Sequence, residues 1–273
     1  MGIAKETVEI LERGSYQSPK GKQVKIKEAV AVCEGGTRLH SPEHLEGIRQ
    51  QVLAQPGGFE KTSIEVVNET TLSGISRLIQ MGESRIGVLN FASAKNPGGG
   101  FLNGSEAQEE SLARSSALHA SLLKAWDFYE KHRASPSLLY SDAMIASPAC
   151  PVFRDDEGAL LEAPQFVDFI TSPAPNAGAA ADNRPEELPL IPETFQRRSA
   201  YVLALAAAMG CDCLVLGAWG CGVFRNDPAV VAGAFRDWLS AEAWQGRFRR
   251  IVFSVLDRSE EKETFKAFER AFA

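Results

Sequence analysis

Glu109 and Glu110 follow Gln108 in the stretch VLNFASAKNPGGGFLNGSEAQEESLARSSALHASL, eight residues beyond the run Gly98, Gly99, Gly100. A carboxylic acid beside a glycosidic oxygen can protonate the leaving group and then, once ionised, take a proton from water. Glycines strip side chains from a loop, so backbone amides can approach phosphate oxygens closely. The two features together suit a site that holds a diphosphate and cleaves a sugar acetal next to it. An adjacent like charge and an anionic ligand would raise the pKa of either Glu, and a helix N-terminus would oppose that rise. The ordinary reading of a Glu-Glu pair at such a place is an acidic first turn that complements the helix dipole.

A second junction of the same kind, VLGAWGCGVFRNDP, spans residues 215–228. An apolar strand there meets Gly217, Gly220 and Gly222, and a helix is announced by Pro228. Two glycine loops at neighbouring strand ends can clamp one diphosphate from both sides, with Phe224 placed to stack on a sugar or base. In α/β sheets ligands bind at the carboxyl ends of the strands, so both loops are expected to open onto one crevice. Taken singly, each loop could be a tight turn and Phe224 a core residue.

The elements that must position these loops alternate from about residue 64 to the end. Short runs rich in Val, Ile, Leu or Phe predict strands over 64–68, 86–93, 138–147, 165–171, 213–219 and 250–256. Helical patterns lie between them, at Thr70 to Met81, Glu110 to His132, Glu193 to Met209, Pro228 to Leu239 and Glu260 to Phe272. Gly82 and Gly210 are placed to end two of these helices. The alternation predicts an α/β sheet with helices on both faces. Residues 1–60 differ, with an amphipathic helix from Ala4 to Arg13, a lysine cluster and weak periodicity afterwards. They are expected to be an accessory segment packed on the body formed by residues 61–273. The stretch 174–192, rich in Ala, Pro and Asn, is too long for a simple connection and is expected to be a functional flap or a mobile loop.

A chain of 273 residues, 44% hydrophobic, has ample apolar content for a sizeable core. A net charge of −6 argues against a broad basic surface for DNA, so a polyanion would have to be gripped locally. No membrane-length apolar run or secretory leader stands out, and a cytoplasmic protein without a membrane partner is expected. Five cysteines, Cys33, Cys150, Cys211, Cys213 and Cys221, suit reduced thiols. Cys211, Cys213 and Cys221 lack the usual zinc spacing, and His40, His44, His119 and His132 form no metal motif, so neither metal nor cofactor is expected. GxGxxG and GxxxxGK[ST] are both absent, which removes the usual dinucleotide and phosphoryl-transfer readings.

The pairing of KNPGGGFLNG with AQEESLARSS, joined by PVFRDDEG, TSPAPN and LGAWGCGVFRND, resembles the poly(ADP-ribose) glycohydrolase family in its compact bacterial type. The resemblance covers roughly residues 5–272. It implies a three-layer α/β/α macrodomain with a mixed sheet of six or seven strands and ADP-ribose across the carboxyl ends of the central strands. It places the catalytic role on Glu110 and gives Glu109 the distal ribose hydroxyls. The Gly98, Gly99 and Gly100 backbone would hold the diphosphate. Gly220, Cys221, Gly222, Val223 and Phe224 would form the other phosphate loop, its aromatic ring against the distal ribose. Asn90 or Asn96 would bond that ribose, and the motif's Gln108 joins the binding set. The implied reaction is hydrolysis of ribose–ribose bonds, mainly from the polymer end, with poly(ADP-ribose) or ADP-ribosylated protein as substrate and ADP-ribose as product, by a monomer. Alternatives are a hydrolase of mono-ADP-ribosylated protein or O-acetyl-ADP-ribose, and a non-catalytic ADP-ribose reader.

Overall fold

The computed structural model describes residues 2–273. In chain order the elements are α1 (Ile3–Arg13), β1 (Ser15–Gln17), β2 (Gln23–Lys25), α2 (Lys27–Gly36), β3 (Arg38–His40), α3 (Pro42–Leu53) and β4 (Ser63–Val67). They continue as α4 (Thr71–Gln80), β5 (Ile86–Phe91), α5 (Gln108–Ser115), α6 (Leu118–Leu122), α7 (Trp126–Ala134), β6 (Met144–Arg154) and β7 (Leu160–Ser172). The remainder are α8 (Ala177–Asn183), α9 (Ile191–Ala208), β8 (Cys213–Leu216), α10 (Pro228–Ser240), β9 (Arg250–Ser254) and α11 (Glu263–Phe272).

Seven strands form one mixed sheet in the order β3-β6-β7-β5-β8-β9-β4. From β7 to β4 the neighbours are parallel, while β6 pairs antiparallel with both β7 and β3. The period of two along each central strand divides its side chains between two cores. Leu89, Leu214, Leu216, Ile251 and Phe253 face the layer of α3, α9, α10 and α11. Ile86, Val88, Cys213, Val215 and Val252 face α2 and α4 to α7. This is the three-layer mixed architecture expected from the sequence. Among the described residues no helix is long and apolar enough to cross a membrane.

The residues before 60 fold largely as helices, yet they also give the sheet its edge, since Arg38–His40 pair with Met144–Ala146. The strand expected over 138–147 begins instead at Met144 and runs on to Arg154. Residues 138–143 are a turn, because Tyr140 has φ +60° and the carbonyls of Leu139 and Tyr140 are taken by the buried Arg198 guanidinium rather than by a neighbouring strand. Farther along, Pro148 is absorbed by a bulge in which Ala149 has φ +46° and donates to Asp168 Oδ1 at 2.7 Å.

The single helix expected over 110–132 is three helices, broken at Ser116, which is extended and bridges to Val152. The 174–192 stretch is folded. It forms α8 and a 3-10 turn leading into α9, with buried Glu187 accepting from Leu138 N at 2.8 Å and Arg184 Nε at 2.7 Å. Gly82 and Gly210 do end helices, both left-handed at φ +83° and +79°.

Candidate active site

The site is built where β5 leaves the sheet. The alternation of β5 points Asn90 toward α5, where it is fully buried and donates to Glu109 Oε1 at 3.2 Å and to Thr171 Oγ1 of β7 at 3.1 Å. Asn90 Oδ1 is buried without a partner among the described residues. Ser93, in the loop that follows, gives its N–H to Glu109 Oε2 at 2.6 Å. Ser93 Oγ meanwhile accepts from Asn96 N at 3.1 Å, which turns the chain toward the glycines.

Gln108 sets the position of the acidic pair. Ladder pairing between β5 and β8 ends at Val88↔Val215. Beyond that point the Gln108 amide takes over the exposed edge, donating to Leu89 O at 2.8 Å and accepting from Phe91 N at 2.9 Å. Its Nε2 also donates to Thr71 Oγ1 at 3.1 Å. The first turn of α5 is thereby fixed at the point where two central strands diverge.

Gly98 and Gly99 have φ of +71° and +59°, a region that L side chains avoid. Gly99 N closes on Asn96 O at 3.0 Å and Gly100 N donates to Glu110 Oε1 at 2.9 Å. A Cβ on Gly99 would overlap the Glu110 carboxylate and come within 3.3 Å of Glu109 Oε2. The N–H groups expected to grip a diphosphate are thus largely turned inward, on the carboxylates and on the loop itself.

Glu109 is 2% exposed and Glu110 9%. Burial pushes the Glu109 carboxyl up to about 8, with neighbouring Glu110 adding to the rise, against the lowering pull of the Ser93 N–H and the Asn90 amide. Glu109 is thus held by Asn90 and Ser93, and Glu110 by the glycine loop.

The second loop is pinned from below. Trp219 is fully buried with Nε1 on Ser172 O at 3.1 Å, and Asn226 Nδ2 bonds Gly220 O at 2.9 Å and Pro175 O at 2.7 Å. Gly220 has φ +73°, and a Cβ there would strike Ala174 and Asn226. The upper part of the loop is open: Val223 is 82% exposed, and the N–H groups of Gly222, Val223 and Phe224 donate to no described residue. Phe224 is half-buried, its ring centroid 6.2 Å from that of Tyr140. Burial pushes the Cys221 thiol up to about 12, so it is a neutral thiol near pH 7 rather than a nucleophile.

A cleft of about 640 Å³ lies over the ends of β5, β8 and β9, between this loop, Phe91, Gln108 and Arg258. Gln108 is the shared wall between the cleft and the acidic cluster. Of the two asparagines, only Asn90 reaches the acidic pair. Asn96 stands on the exposed rim, where its Oδ1 accepts from Arg133 Nη2 at 3.3 Å. Cys211 and Cys213 face different carboxylates, Asp168 and Glu83. Among the described residues no group of three or more His, Cys, Asp or Glu could hold a metal.

Sequence reasoning did not find Ser93, Thr171, Thr71 or Tyr129. The first was legible as a serine two residues before Lys95 in a polar loop. Thr171 is set opposite Asn90 by the register of β5 on β7, and Thr71 meets Gln108 from the start of α4, both from elements distant in sequence. Tyr129 is fully buried with an unpartnered hydroxyl, and burial first, then the Glu109 charge, raise its pKa well above the usual value.

A family model described as the microbial-type PARG catalytic domain matches residues 4–155. Among solved structures, poly(ADP-ribose) glycohydrolase from Thermomonospora curvata is 49% identical with TM-score 0.93, covering 99% of this chain and 98% of that one. The same enzyme bound to the inhibitor ADP-HPD matches at 49% identity and TM-score 0.90, over 98% of this chain and 97% of that one. Poly(ADP-ribose) glycohydrolase from Deinococcus radiodurans in complex with ADP-ribose is 49% identical with TM-score 0.85, over 91% of this chain and 98% of that one. No curated protein matches.

Proposed function

The chain belongs to the microbial-type poly(ADP-ribose) glycohydrolase family, and on that premise we propose that it hydrolyses ribose–ribose O-glycosidic bonds of poly(ADP-ribose), mainly from the polymer end, releasing ADP-ribose. The observation that carries the assignment of roles is the Gly100 N–H on Glu110 Oε1, which holds that carboxyl group against a loop bare of side chains. Glu110 is the general acid and base. It protonates the departing 2′-oxygen, the C1″ cation that forms is stabilised by the neighbouring diphosphate, and Glu110 then takes a proton from the attacking water.

Glu109, kept protonated near neutral pH by burial, orients the distal ribose by hydrogen bonding, with Asn90 behind it. Gln108 acts by positioning the pair, since its amide is committed to β5 and Thr71. The open N–H groups of Gly222, Val223 and Phe224 supply the main grip on the diphosphate, and Gly220 and Cys221 shape the loop. The Gly98, Gly99 and Gly100 loop forms the opposite wall. Phe224 packs on the ribose, and Asn96 borders the mouth.

The test is incubation of the protein and its Glu110→Gln variant with automodified poly(ADP-ribosyl)ated protein, resolving polymer and free ADP-ribose over time. Wild type is expected to release ADP-ribose, and the variant to turn over roughly 10²-fold or more slowly while still binding ADP-ribose. Wild-type turnover by Glu110→Gln would remove Glu110 from the chemistry.

A further inference from the structure

Beyond Asn96 the rim of the acidic site continues onto α7. Trp126, the first residue of that helix, is 40% exposed, although large aromatic rings are usually buried. The Arg133 guanidinium lies 4.8 Å from its ring centroid and also donates to Asn96 Oδ1 at 3.3 Å. The carbonyl of that same Asn96 accepts from Gly99, where a Cβ would run into the Glu110 carboxyl. Trp126 also packs beside buried Tyr129, their ring centroids 6.1 Å apart. An exposed aromatic surface and a stacked cation are therefore tied directly to the loop that positions the acid.

The local charge suits a polyanion even though the whole chain is acidic. Lys95, Lys131 and Arg133 have no carboxylate within ion-pair distance among the described residues. Asp127 and Glu130 share the helix but pair with none of them. Hydrolysis of a ribose–ribose bond expels the 2′-oxygen of an adenosine, so the adenine of the departing unit is the next ring beyond the scissile oxygen. It has to lie just outside the acidic pair, with its own diphosphate farther along the rim.

We infer that Trp126 and Arg133 form a subsite for the leaving-group nucleotide, with Trp126 stacking on its adenine and Arg133 and Lys95 drawing its diphosphate. The inference rests on the proposed glycohydrolase reading and adds the part of the substrate on the far side of the scissile bond. Stacking on aromatic side chains tolerates any base and needs no hydrogen-bond code, which suits an exposed rim.

The test compares two substrates on the same enzyme, the ADP-ribose dimer and ADP-ribose carrying a nitrophenolate at C1″, which has no adenosine to lose. Trp126→Ala is expected to raise KM for the dimer about tenfold, with Trp126→Phe within about threefold of wild type. The nitrophenyl substrate should respond to neither variant. Arg133→Gln should flatten the salt dependence of KM for the dimer. An equal loss on both substrates, or no loss on the dimer, would overturn the subsite. Failure of the wild type on both substrates would instead sink the glycohydrolase reading, and the subsite with it.

Discussion

Gly99 lies against Glu110 so closely that a methyl group on its α-carbon would occupy the space of the carboxylate. At φ +59° the position also disfavours any L side chain, so two independent reasons require glycine there. Gly99→Ala is expected to displace Glu110 from the Gly100 N–H and to lower kcat by about 10²-fold, because a misplacement of 1 Å at an acid can cost that much. Stability should fall by only about 1–3 kcal/mol, since the loop can shift outward. Turnover and thermal unfolding, measured together, separate a misplaced acid from a misfolded chain.

Glu109 links the site to the pH dependence of stability. Its folded-state carboxyl, pushed up to about 8, keeps a proton that the unfolded chain loses near the ordinary value of 4.5. Between those values the folded state binds more protons than the unfolded one, so stability falls as pH rises. The contribution is complete below about 4.5 and lost by about 8. Glu109→Gln has no proton to release and should become the more stable protein by on the order of a few kcal/mol between pH 5 and pH 8.5, relative to any constant offset from its amide. Denaturant unfolding of both proteins at the two pH values decides it, and a difference that stays flat would show that burial does not hold the proton.

Arg198 holds the turn that faces Phe224. It is 1% exposed, with Nε on Asp142 Oδ1 at 2.7 Å, Nη1 on Pro173 O at 2.7 Å and Nη2 on the carbonyls of Leu139 and Tyr140. Arg198→Met would remove all four bonds, leaving Asp142 to the half-exposed Arg197 alone, and should cost about 3–5 kcal/mol. Arg198→Lys keeps the charge but not the planar fork, and should recover only part of the loss. Urea unfolding ranks the three proteins. ADP-ribose affinity should follow the same order, because the turn carries Tyr140, whose backbone is held at φ +60° and whose ring lies beside Phe224.

What the sequence made legible is what is local. The apolar run through Val88 and Leu89, the helix stops at Gly82 and Gly210, and the glycine loop followed by the acidic pair all depend on neighbours in the chain. The turn at residues 138–143 was hidden because its carbonyls are satisfied by Arg198, more than fifty residues away. The break at Ser116 was hidden because its partner is Val152. Within the site, the choice of Asn90 over Asn96 needed the direction in which β5 alternates. The separate partners of the two carboxyls, Ser93 N–H for Glu109 and Gly100 N–H for Glu110, needed the folded loop.

Gln108 tests whether a side-chain amide can substitute for a missing strand. The edge of β5 that faces β8 has unpaired groups at Leu89 O and Phe91 N, and Gln108 satisfies both. Gln108→Met preserves length and bulk but leaves those two groups without partners, at a cost of about 1–3 kcal/mol each. The helix start should then loosen from the strand, so kcat should fall by more than the affinity for ADP-ribose. Gln108→Glu can still accept from Phe91 N, but it sets a carboxylate against the Leu89 carbonyl, and it should be no better than Gln108→Met in unfolding free energy. If Gln108→Met kept wild-type stability and lost only ADP-ribose affinity, Gln108 would be a ligand contact and the ladder reading would be wrong.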